Sequence, residues 1–497
     1  MKRREFIGSS VAAAIVATLP SSTLLASVKK MSKATSDAIA VTGEGVELTL
    51  EKAALKELSD SLRGQLLLPG QSGYDIARKV LNPSINKHPS LIVQPTGASD
   101  LMNAITFARE RNLLVAVKCG GHSFSGKSTC EKGMQIDLST FRSSRIDTDS
   151  KTAYIAGGSL LGELDHESMA HGLVTTAGTV SHTGVGGLTL GGGFGRLARR
   201  FGLALDNVKA VDIVTADGKL RHASAEQNPD LYWAVRGGGG NFGVVAGFEF
   251  NLHKMQREVI GGSVIFPLSE ARNVLKFYAD YAATAPDELY LDMGMSSAAG
   301  STDGIILLHA CYSGPKANAE KVLAPIRKAG KAIKDTIGPV DYVALQRRWD
   351  DTDPRSTGSY LKSGFINTFP DKLIDGVLDA FKAVPERGTS IFWQHSGGAI
   401  NRVATNETAF AHRYAISNMF TTVSWPMNED RSSHVQAVKK SWSHLEPFTH
   451  GWYANEVDEQ SAAIVNNNYQ GNYQRLAKIK EQYDPTNLFR LNANIKT

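Results

Sequence analysis

The stretch GVGGLTLGGGFG, residues 184–195, contains seven glycines in twelve positions. Glycine adopts positive φ values at little cost and lets main-chain N–H groups approach phosphate oxygens without obstruction by a side chain. Two further clusters, RGGGGNFG (236–243) and AGGS (156–159), lie nearby, and residues 157–247 hold 20 of the 47 glycines. The three clusters predict close approach of the backbone to an extended ligand that carries a pyrophosphate. Tight turns alone are the alternative explanation.

Two short patterns near these clusters match nucleotide-binding motifs, but in the wrong context. Residues 121–128 satisfy the G-x-x-x-x-G-K-S pattern of a P-loop. A P-loop needs a helix directly after this pattern, whereas the following TCEKGMQIDLS predicts a turn and a strand. GFGRLA (193–198) matches the dinucleotide fingerprint, but glycine precedes it where a strand is required. Neither an NTPase nor a Rossmann NAD site is therefore expected.

The apolar pattern around the clusters is typical of mixed α and β structure. SLIVQP (90–95) and LLVAVK (113–118) are predicted strands with an amphipathic helix between them, which makes a βαβ unit. Asp217-Gly218 is a hairpin signal. From about residue 257 to 450 glycine becomes sparse and strands alternate with helices. This pattern predicts an α+β lobe whose sheet is covered by helices.

Composition excludes several functional classes. The chain has 497 residues, of which 42% are hydrophobic and 21% charged, as in an ordinary soluble globular protein. The formal charge is +5, and loss of residues 2–5 with a leader, which carry +2, would leave +3. Since there is no basic run, nucleic acid is not an expected partner. No metal site is predicted, and no disulfide scaffold, because the chain has only Cys119, Cys130 and Cys311.

The N-terminus predicts export. MKRREFIGSSVAAAIVATLP has a basic start and an apolar stretch, 7–19, that is too short and too rich in Ser and Ala for a permanent membrane span. Arg3-Arg4 followed by Phe6-Ile7 resembles a twin-arginine signal, which directs bacterial proteins to export in the folded state. We expect a signal peptide at 1–27, the twin-arginine machinery as a partner and a periplasmic or secreted location. An ordinary secretory signal or an uncleaved anchor is the alternative.

Five segments carry a resemblance to a known family: VQPTGASD (93–100), VAVKCGGHSFSG (115–126), GVGGLTLGGGFGRLARRFGLALDNV (184–208), DLYWAVRGGGGNFGVV (230–245) and YDPTNLFRLNANI (483–495). In this order they resemble the berberine-bridge-enzyme-like FAD-linked oxidases, whose FAD-binding fold is of the vanillyl-alcohol-oxidase or PCMH type. The resemblance covers about residues 55–256 and 450–497, and it is less specific in the lobe between them.

The resemblance implies an α+β fold in which a two-subdomain PCMH-type FAD-binding domain carries an inserted α+β substrate domain, an antiparallel sheet covered by helices. It divides the chain into a signal peptide (1–27), a linker (28–54), the FAD-binding domain (55–256), the substrate domain (257–450) and a berberine-bridge-type C-terminal segment that returns to the flavin (451–497).

The implied cofactor is FAD. In the family the histidine of the GGH motif is bound covalently to the flavin 8α-methyl group, and His122 occupies that position. A hydrogen bond without a covalent bond is the alternative. A second link, from cysteine to flavin C6, is not expected, because Val180 stands where that cysteine would be. Thr183 stands at a position that in relatives affects the access of oxygen to reduced flavin.

The other predicted cofactor contacts follow the family motifs. Lys118 stands where arginine is common, and Cys119 stands where serine or glycine is usual. Asn492 and Asn494 resemble the closing pair that contacts polar edges of the flavin. The remaining contacts expected from the motifs are Gly120, Gly121, Ser123, Gly178, Thr179, Gly184, Gly187 and Val245.

The segment GWYANEVD (451–458) resembles the family's Y-x-N segment, whose tyrosine faces the substrate. Tyr453 is the expected general base, because an electron-poor flavin or a cation can lower a phenol pKa from its reference of about 10. A packed aromatic with a satisfied hydroxyl is the alternative. Asn455 is an expected flavin or substrate contact. FWQHSGGAI (392–400) and TAFAHR (408–413) look like family strands, and the candidate substrate contacts are Glu456, Gln394, His395 and Arg413.

These residues predict an oxidase that moves a hydride from an alcohol- or amine-type carbon of a small organic substrate to flavin N5, with O2 as the acceptor and H2O2 as the product. A periplasmic FAD dehydrogenase that passes electrons to a quinone or cytochrome is one alternative. A non-catalytic small-molecule-binding protein on the same fold is another.

Overall fold

The computed structural model describes residues 36–496 except 299, 302, 351–355, 385–387, 389 and 457–460. The predicted signal peptide lies outside these residues, as does the first part of the predicted linker. The rest of that linker is structured, because β1 (Ala38–Val41) and β2 (Glu47–Leu50) form an antiparallel hairpin. Ala40 and Leu50 are buried in the core of the following subdomain. The expectation of a plain linker is corrected here, since the hairpin has its own apolar face.

The first subdomain follows directly and contains α1 (Lys52–Ser61), β3 (Gln65–Leu67), α2 (Tyr74–Ala77), β4 (Leu91–Gln94), α3 (Ala98–Glu110), β5 (Val115–Lys118) and β6 (Met134–Asp137). Its sheet has the order β3-β4-β6-β5, in which β4, β6 and β5 are parallel. The predicted βαβ unit is confirmed, with β6 placed between β4 and β5. No helix begins directly after 126–128, so the P-loop pattern lacks its helix.

The second subdomain contains β7 (Ser144–Asp147), β8 (Thr152–Ala156), α4 (Leu161–Met169), β9 (Leu173–Val174), α5 (Val185–Gly191), α6 (Ala198–Phe201), β10 (Val208–Val214), β11 (Leu220–Ser224), α7 (Pro229–Val235), β12 (Val244–Asn251) and β13 (His253–Lys254). Its antiparallel sheet has the order β11-β10-β12-β8-β7. The predicted hairpin at Asp217-Gly218 is confirmed as the β10–β11 turn. The glycine-rich stretch 184–195 begins with α5 and continues into a turn in which Gly192 and Gly193 have φ of +153° and +91°.

The lobe beyond residue 257 contains β14 (Glu258–Pro267), α8 (Ala271–Ala282), β15 (Leu289–Ser297), β16 (Gly304–Tyr312), α9 (Ala319–Arg327), β17 (Lys334–Asp335), β18 (Gly338–Asp341), α10 (Tyr342–Gln346), β19 (Thr357–Ile366), α11 (Asp371–Lys382), β20 (Ser390–His395), α12 (Ala399–Arg402), β21 (Ser417–Pro426) and α13 (Arg431–Trp442). Its antiparallel sheet has the order β17-β14-β16-β15-β20-β21-β19, and β18 also pairs with β14. Helices α8, α9 and α11 pack on one face, as predicted.

Strand alternation decides which side chains reach the other face of this sheet. On β20, Ile391 and Trp393 belong to the core under the helices. Phe392 and Gln394 therefore point to the opposite face. The predicted strand at 408–413 is wrong, because these residues form an irregular segment. Arg413 donates to the Thr408 hydroxyl at 2.8 Å, and this buried hydrogen bond folds the segment on itself where a strand would extend it.

The C-terminal segment contains α14 (Ala462–Tyr469) and α15 (Tyr473–Tyr483) and packs against the second subdomain. The buried ammonium of Lys480 donates to the carbonyls of Asn241 at 2.8 Å and Phe489 at 3.1 Å, and it pairs with Asp484 at 2.6 Å. Asn241 lies in the glycine cluster 236–243. The part of the C-terminal segment from Lys480 to Phe489 therefore lies against the glycine-rich region.

Candidate active site

A cavity of about 430 Å³ lies where the glycine clusters, the open face of the β14–β21 sheet and the C-terminal segment meet. This volume falls within the range of small-molecule sites. Most of the residues predicted for the site line this cavity: Cys119, Gly120, Gly121, His122, Ser123, Gly178, Thr179, Thr183, Gly184, Gly187, Val245, Gln394, Tyr453, Asn455, Glu456 and Asn492.

Two glycine loops touch backbone to backbone at one wall of the cavity. A Cβ atom built on Gly120 would lie 2.3 Å from the Gly184 nitrogen, and one built on Gly184 would lie 2.4 Å from the Gly120 nitrogen. Any other residue at either position would separate the loops. Gly187 differs, because a Cβ there meets no atom within 4 Å and would occupy open space beside the cavity.

The imidazole of His122 is held by two polar partners. Its Nε2 lies 2.7 Å from Nδ1 of His182, and its Nδ1 lies 3.3 Å from Oγ1 of Thr183. In the contact between the two histidines, one nitrogen must donate and the other must accept. His182 and Thr183 therefore hold the plane of the His122 ring, and the tautomer of one histidine determines that of the other.

The phenol of Tyr453 is the centre of a buried hydrogen-bond group. Its oxygen accepts hydrogen bonds from the Gly193 backbone N–H at 2.8 Å and from Asn455 Nδ2 at 2.9 Å. The same Asn455 amide donates to the Leu188 carbonyl at 3.1 Å, which fixes its orientation. Burial raises the pKa of Tyr453 above its ordinary value, and the two N–H donors oppose this shift. The lowering expected from the sequence depends on the flavin or a cation, and it stays a prediction.

Glu456 is a half-buried carboxyl group that lines the cavity. Asn418 Nδ2 donates to Glu456 Oε2 at 2.9 Å and to Gln394 Oε1 at 2.8 Å, so one amide bridges the C-terminal segment and β20. Desolvation raises the pKa of Glu456 to about 7, although the Asn418 amide and the Ser363 hydroxyl act in the opposite direction. The charge of Glu456 therefore changes near neutral pH.

Comparison with known proteins agrees with this arrangement. The family model "FAD binding domain" matches residues 89–224, and the family model "Berberine and berberine like" matches residues 452–496. An FAD-linked oxidoreductase of Dictyostelium discoideum is 32% identical over 448 residues, which are 89% of this chain and 96% of that protein. The chain belongs to the berberine-bridge-enzyme-like FAD-linked oxidoreductases.

Other relatives of this FAD-linked oxidoreductase have more specific names. The (R)-6-hydroxynicotine oxidase of Paenarthrobacter nicotinovorans is 29% identical over 88% of this chain and 97% of that protein. The chitooligosaccharide oxidase of Gibberella zeae is 27% identical over 82% of this chain and 87% of that protein. A solved structure of 6-hydroxy-D-nicotine oxidase from Arthrobacter nicotinovorans superposes with a TM-score of 0.80 at 27% identity, covering 88% of this chain and 98% of that one.

FAD is the cofactor of this oxidoreductase, and the cavity fits it. The contact between Gly120 and Gly184 and the open space beside Gly187 provide a wall of bare backbone, as a dinucleotide requires. Among the described residues no group of three or more His, Cys, Asp or Glu side chains could hold a metal ion. Across the same residues, no helix combines the length and apolarity needed to cross a bilayer.

Lys118 does not line the cavity, although it was predicted to contact the cofactor. It ends β5 beside Asp137 of β6, its partner in the parallel register. Its ammonium lies 3.4 Å from the Asp137 carboxylate and donates to the Ala77 carbonyl. Since both charges are buried, Lys118 serves the packing of the first subdomain.

His395 also lies away from the cavity, on the helix-covered face of the sheet. Its Nδ1 accepts from the Leu291 N–H at 3.1 Å and its Nε2 donates to the Ala282 carbonyl at 2.9 Å. Burial lowers the pKa of His395 well below its ordinary value, so the ring is neutral. The candidate substrate contact on this strand is therefore Gln394 and not its neighbour.

Arg413 has a structural partner instead of the predicted place at the substrate. Its guanidinium binds both carboxylate oxygens of Asp206, at 2.7 and 2.8 Å, and is fully buried. Asn494 does not line the cavity either, and its buried Oδ1 has no hydrogen-bond partner among the described residues. Asn492 does line it, and its amide donates to the Gly240 carbonyl at 3.1 Å.

Sequence reasoning missed His182, Asn418 and Trp349, which lies just before residues 351–355. His182 and Trp349 line the cavity, and Asn418 reaches Glu456 beside it. A usable signal existed for His182, which stands two residues before the glycine stretch. Asn418 could be found only from the register of β20 with β21, where it faces Gln394.

Proposed function

We propose that this FAD-linked oxidoreductase is an oxidase for a small organic substrate. It takes a hydride from a carbon that bears an alcohol or amine group and passes the electrons to O2, which gives H2O2. The observation that supports this most directly is that Tyr453, Asn455 and Glu456 line the same cavity as the glycine clusters. The relatives named for 6-hydroxynicotine and for chitooligosaccharides make an amine and an alcohol the two candidate substrate types.

FAD, when bound, supplies the hydride acceptor. The chain itself must orient the substrate and remove the proton of its heteroatom, and Tyr453 is the proposed base. Both hydrogen bonds that its oxygen accepts come from N–H donors, so its own hydrogen is directed elsewhere. After loss of that hydrogen, the same two donors stabilise the phenolate oxygen.

His122 is the proposed site of covalent attachment to the flavin 8α-methyl group. The contact with His182 keeps one His122 nitrogen engaged and orients the other, and both rings line the cavity. Val180 lines the cavity at the position where related oxidases carry a second link, so the attachment is proposed to be single. A covalent bond raises the flavin reduction potential and prevents its loss after export.

Export by the twin-arginine route to the periplasm or the medium is also part of this proposal. It rests on Arg3-Arg4 and the short apolar stretch that follows. Cofactor loading in the cytoplasm before export gives such a protein a physical reason to leave the cell folded.

The first experiment is acid precipitation of the purified protein, followed by absorbance and peptide mapping. The expected result is a yellow pellet and a His122 peptide heavier by one FAD. His122→Ala is expected to release its flavin into the supernatant. Flavin in the supernatant of the wild-type protein would contradict covalent attachment, and a protein that stays colourless after FAD is added would contradict the oxidoreductase function.

The electron acceptor is tested separately. Once a substrate has been found, O2 consumption and H2O2 formation are compared with reduction of a soluble quinone. Rapid reduction of the quinone with no peroxide would support the dehydrogenase alternative. Bound flavin that no member of an alcohol, sugar and amine panel reduces would support a non-catalytic binding protein.

A further inference from the structure

Glu456 is an acidic group with no cationic partner among the described residues. Its contacts are with the Asn418 amide and the Ser363 hydroxyl, both neutral. Among the described residues that line the cavity, Glu456 is the one carboxylate and Lys127 the one lysine. An ionised carboxylate that is partly shielded from water is stabilised by a cation more than by a neutral hydroxyl group.

The position of Glu456 directs this acid toward the substrate. It lies three residues after Tyr453 and accepts its hydrogen bond from Asn418 of β21, the strand between β20 and β19. Leu361, Phe420 and Trp349 also line the cavity, and they add apolar and aromatic surface. Aromatic faces attract ammonium groups.

We propose that the carboxylate of Glu456 is the subsite for the ammonium group of a small, largely apolar amine substrate. Glu456 binds and orients this group, and the proton that must leave the nitrogen goes to Tyr453, the proposed base: an N–H bond of the substrate breaks and an O–H bond forms on the Tyr453 phenolate. The amine is left with the free lone pair that oxidation of its α-carbon requires. This inference rests on the proposed oxidase function and narrows its substrate to amines.

The test is binding of benzyltrimethylammonium and its neutral counterpart benzyl alcohol to the purified holoprotein, measured by isothermal titration calorimetry between pH 6 and 8.5. Benzyltrimethylammonium is a cation throughout this range and has no N–H to lose, so it reports binding without turnover. A carboxyl group with a pKa of about 7 is roughly one-tenth ionised at pH 6. Binding of the cation is therefore expected to be about tenfold tighter at pH 8.5, and that of benzyl alcohol to be unchanged.

Glu456→Gln is the decisive variant, because the amide has the shape of the carboxyl and keeps an oxygen for Asn418. This variant is expected to weaken binding of benzyltrimethylammonium at pH 8.5 at least tenfold and to remove the pH dependence of that binding. Because the two proteins differ at residue 456 alone, the difference between them isolates this carboxyl group. Glu446→Gln, on an exposed turn, is the matched control.

Three results would overturn the proposal. They are no binding of the cation to wild type at pH 8.5, an unchanged affinity in Glu456→Gln, and tighter binding of benzyl alcohol than of the cation. If Glu456→Gln does not fold, Asn418→Ala replaces it, and loss of that amide must move the midpoint of the pH profile upward. Flavin content is measured on the same samples. Failure of cation binding in a yellow protein contradicts the amine subsite alone, whereas an absence of flavin contradicts the oxidase function.

Discussion

Arg413 and Asp206 form a two-point ion pair that joins the lobe beyond residue 257 to the glycine-rich region, 207 residues apart in sequence. The side chain of Arg413 is 1% exposed and that of Asp206 is 9% exposed. Asp206 also accepts from the Leu203 N–H at 2.9 Å, close to the turn that contains Gly192 and Gly193. The pair therefore fixes the position of the turn whose Gly193 N–H donates a hydrogen bond to the Tyr453 oxygen.

Removal of one member of this pair is expected to lower the free energy of unfolding. Arg413→Leu leaves the Asp206 carboxylate buried without its cation, and a loss of about 3 to 5 kcal/mol in the free energy of unfolding is expected. Urea denaturation measures it. Arg272→Leu breaks a pair whose two side chains are each 57% exposed, and it should cost less than about 1 kcal/mol. Equal losses in the two variants would contradict the structural role of Arg413.

Tyr453→Phe tests the proposed base. The phenyl ring keeps the aromatic packing but lacks the oxygen, so kcat is expected to fall about 100-fold or more while flavin content is unchanged. Steady-state kinetics and the flavin spectrum measure the two quantities. Tyr414→Phe, at a side chain that is 70% exposed, is the control. A normal kcat in Tyr453→Phe would mean that Tyr453 only packs as an aromatic side chain and is not the base.

Alanine substitutions at Gly184 and Gly187 are predicted to have different effects, the first on stability and the second on FAD binding. Gly184→Ala places a methyl group against the Gly120 nitrogen, so the loops must separate and the melting temperature is expected to fall. Gly187→Ala adds its methyl group in open space beside the cavity, so it is expected to keep the melting temperature of the apoprotein and to reduce bound FAD. Differential scanning fluorimetry and flavin quantification test both. Equal flavin content in the wild type and Gly187→Ala would contradict the placement of the cofactor.

The buried carboxyl of Asp165 is predicted to make the stability of the folded protein depend on pH. Burial raises the pKa of its carboxyl to about 7, against the opposing effect of the Gln346 amide. Since the folded state binds this proton more tightly than the unfolded state, ionisation of Asp165 lowers stability as the pH rises from about 4 to 7. Asp165→Asn is expected to be more stable than the wild type by about 2 to 4 kcal/mol at pH 8 and nearly equal to it at pH 4.5.

Urea denaturation at the two pH values measures this difference. A difference for Asp165→Asn that is the same at both pH values would mean that the amide acts through packing and not through charge.

The sequence predicted what depends on local pattern and motif order. The glycine stretches, the βαβ unit and the separate α+β lobe follow from spacing and composition, and most of the residues that the family motifs predicted for the site line the cavity. Long-range pairing was not predictable. Lys118 and Arg413 are cations at positions where the sequence suggests contact with the cofactor and the substrate. In the structure Asp137 and Asp206 bind them, and only the fold brings these carboxylates close to the two cations. Gln394 and His395 could not be separated from sequence, because strand alternation gives the two faces without saying which face is covered.

The order in which the cavity-lining residues occur along the sequence has a consequence for biosynthesis. The bare-backbone wall is complete once residue 245 has been made, whereas Tyr453 and Asn455 come from the last tenth of the polypeptide. A ribosome therefore makes this wall some two hundred residues before it adds Tyr453 and Asn455. A chain that ends before residue 450 lacks these groups and also Lys480 and Asn492, which contact the glycine cluster, so cofactor site and reactive groups are completed together at the end of translation.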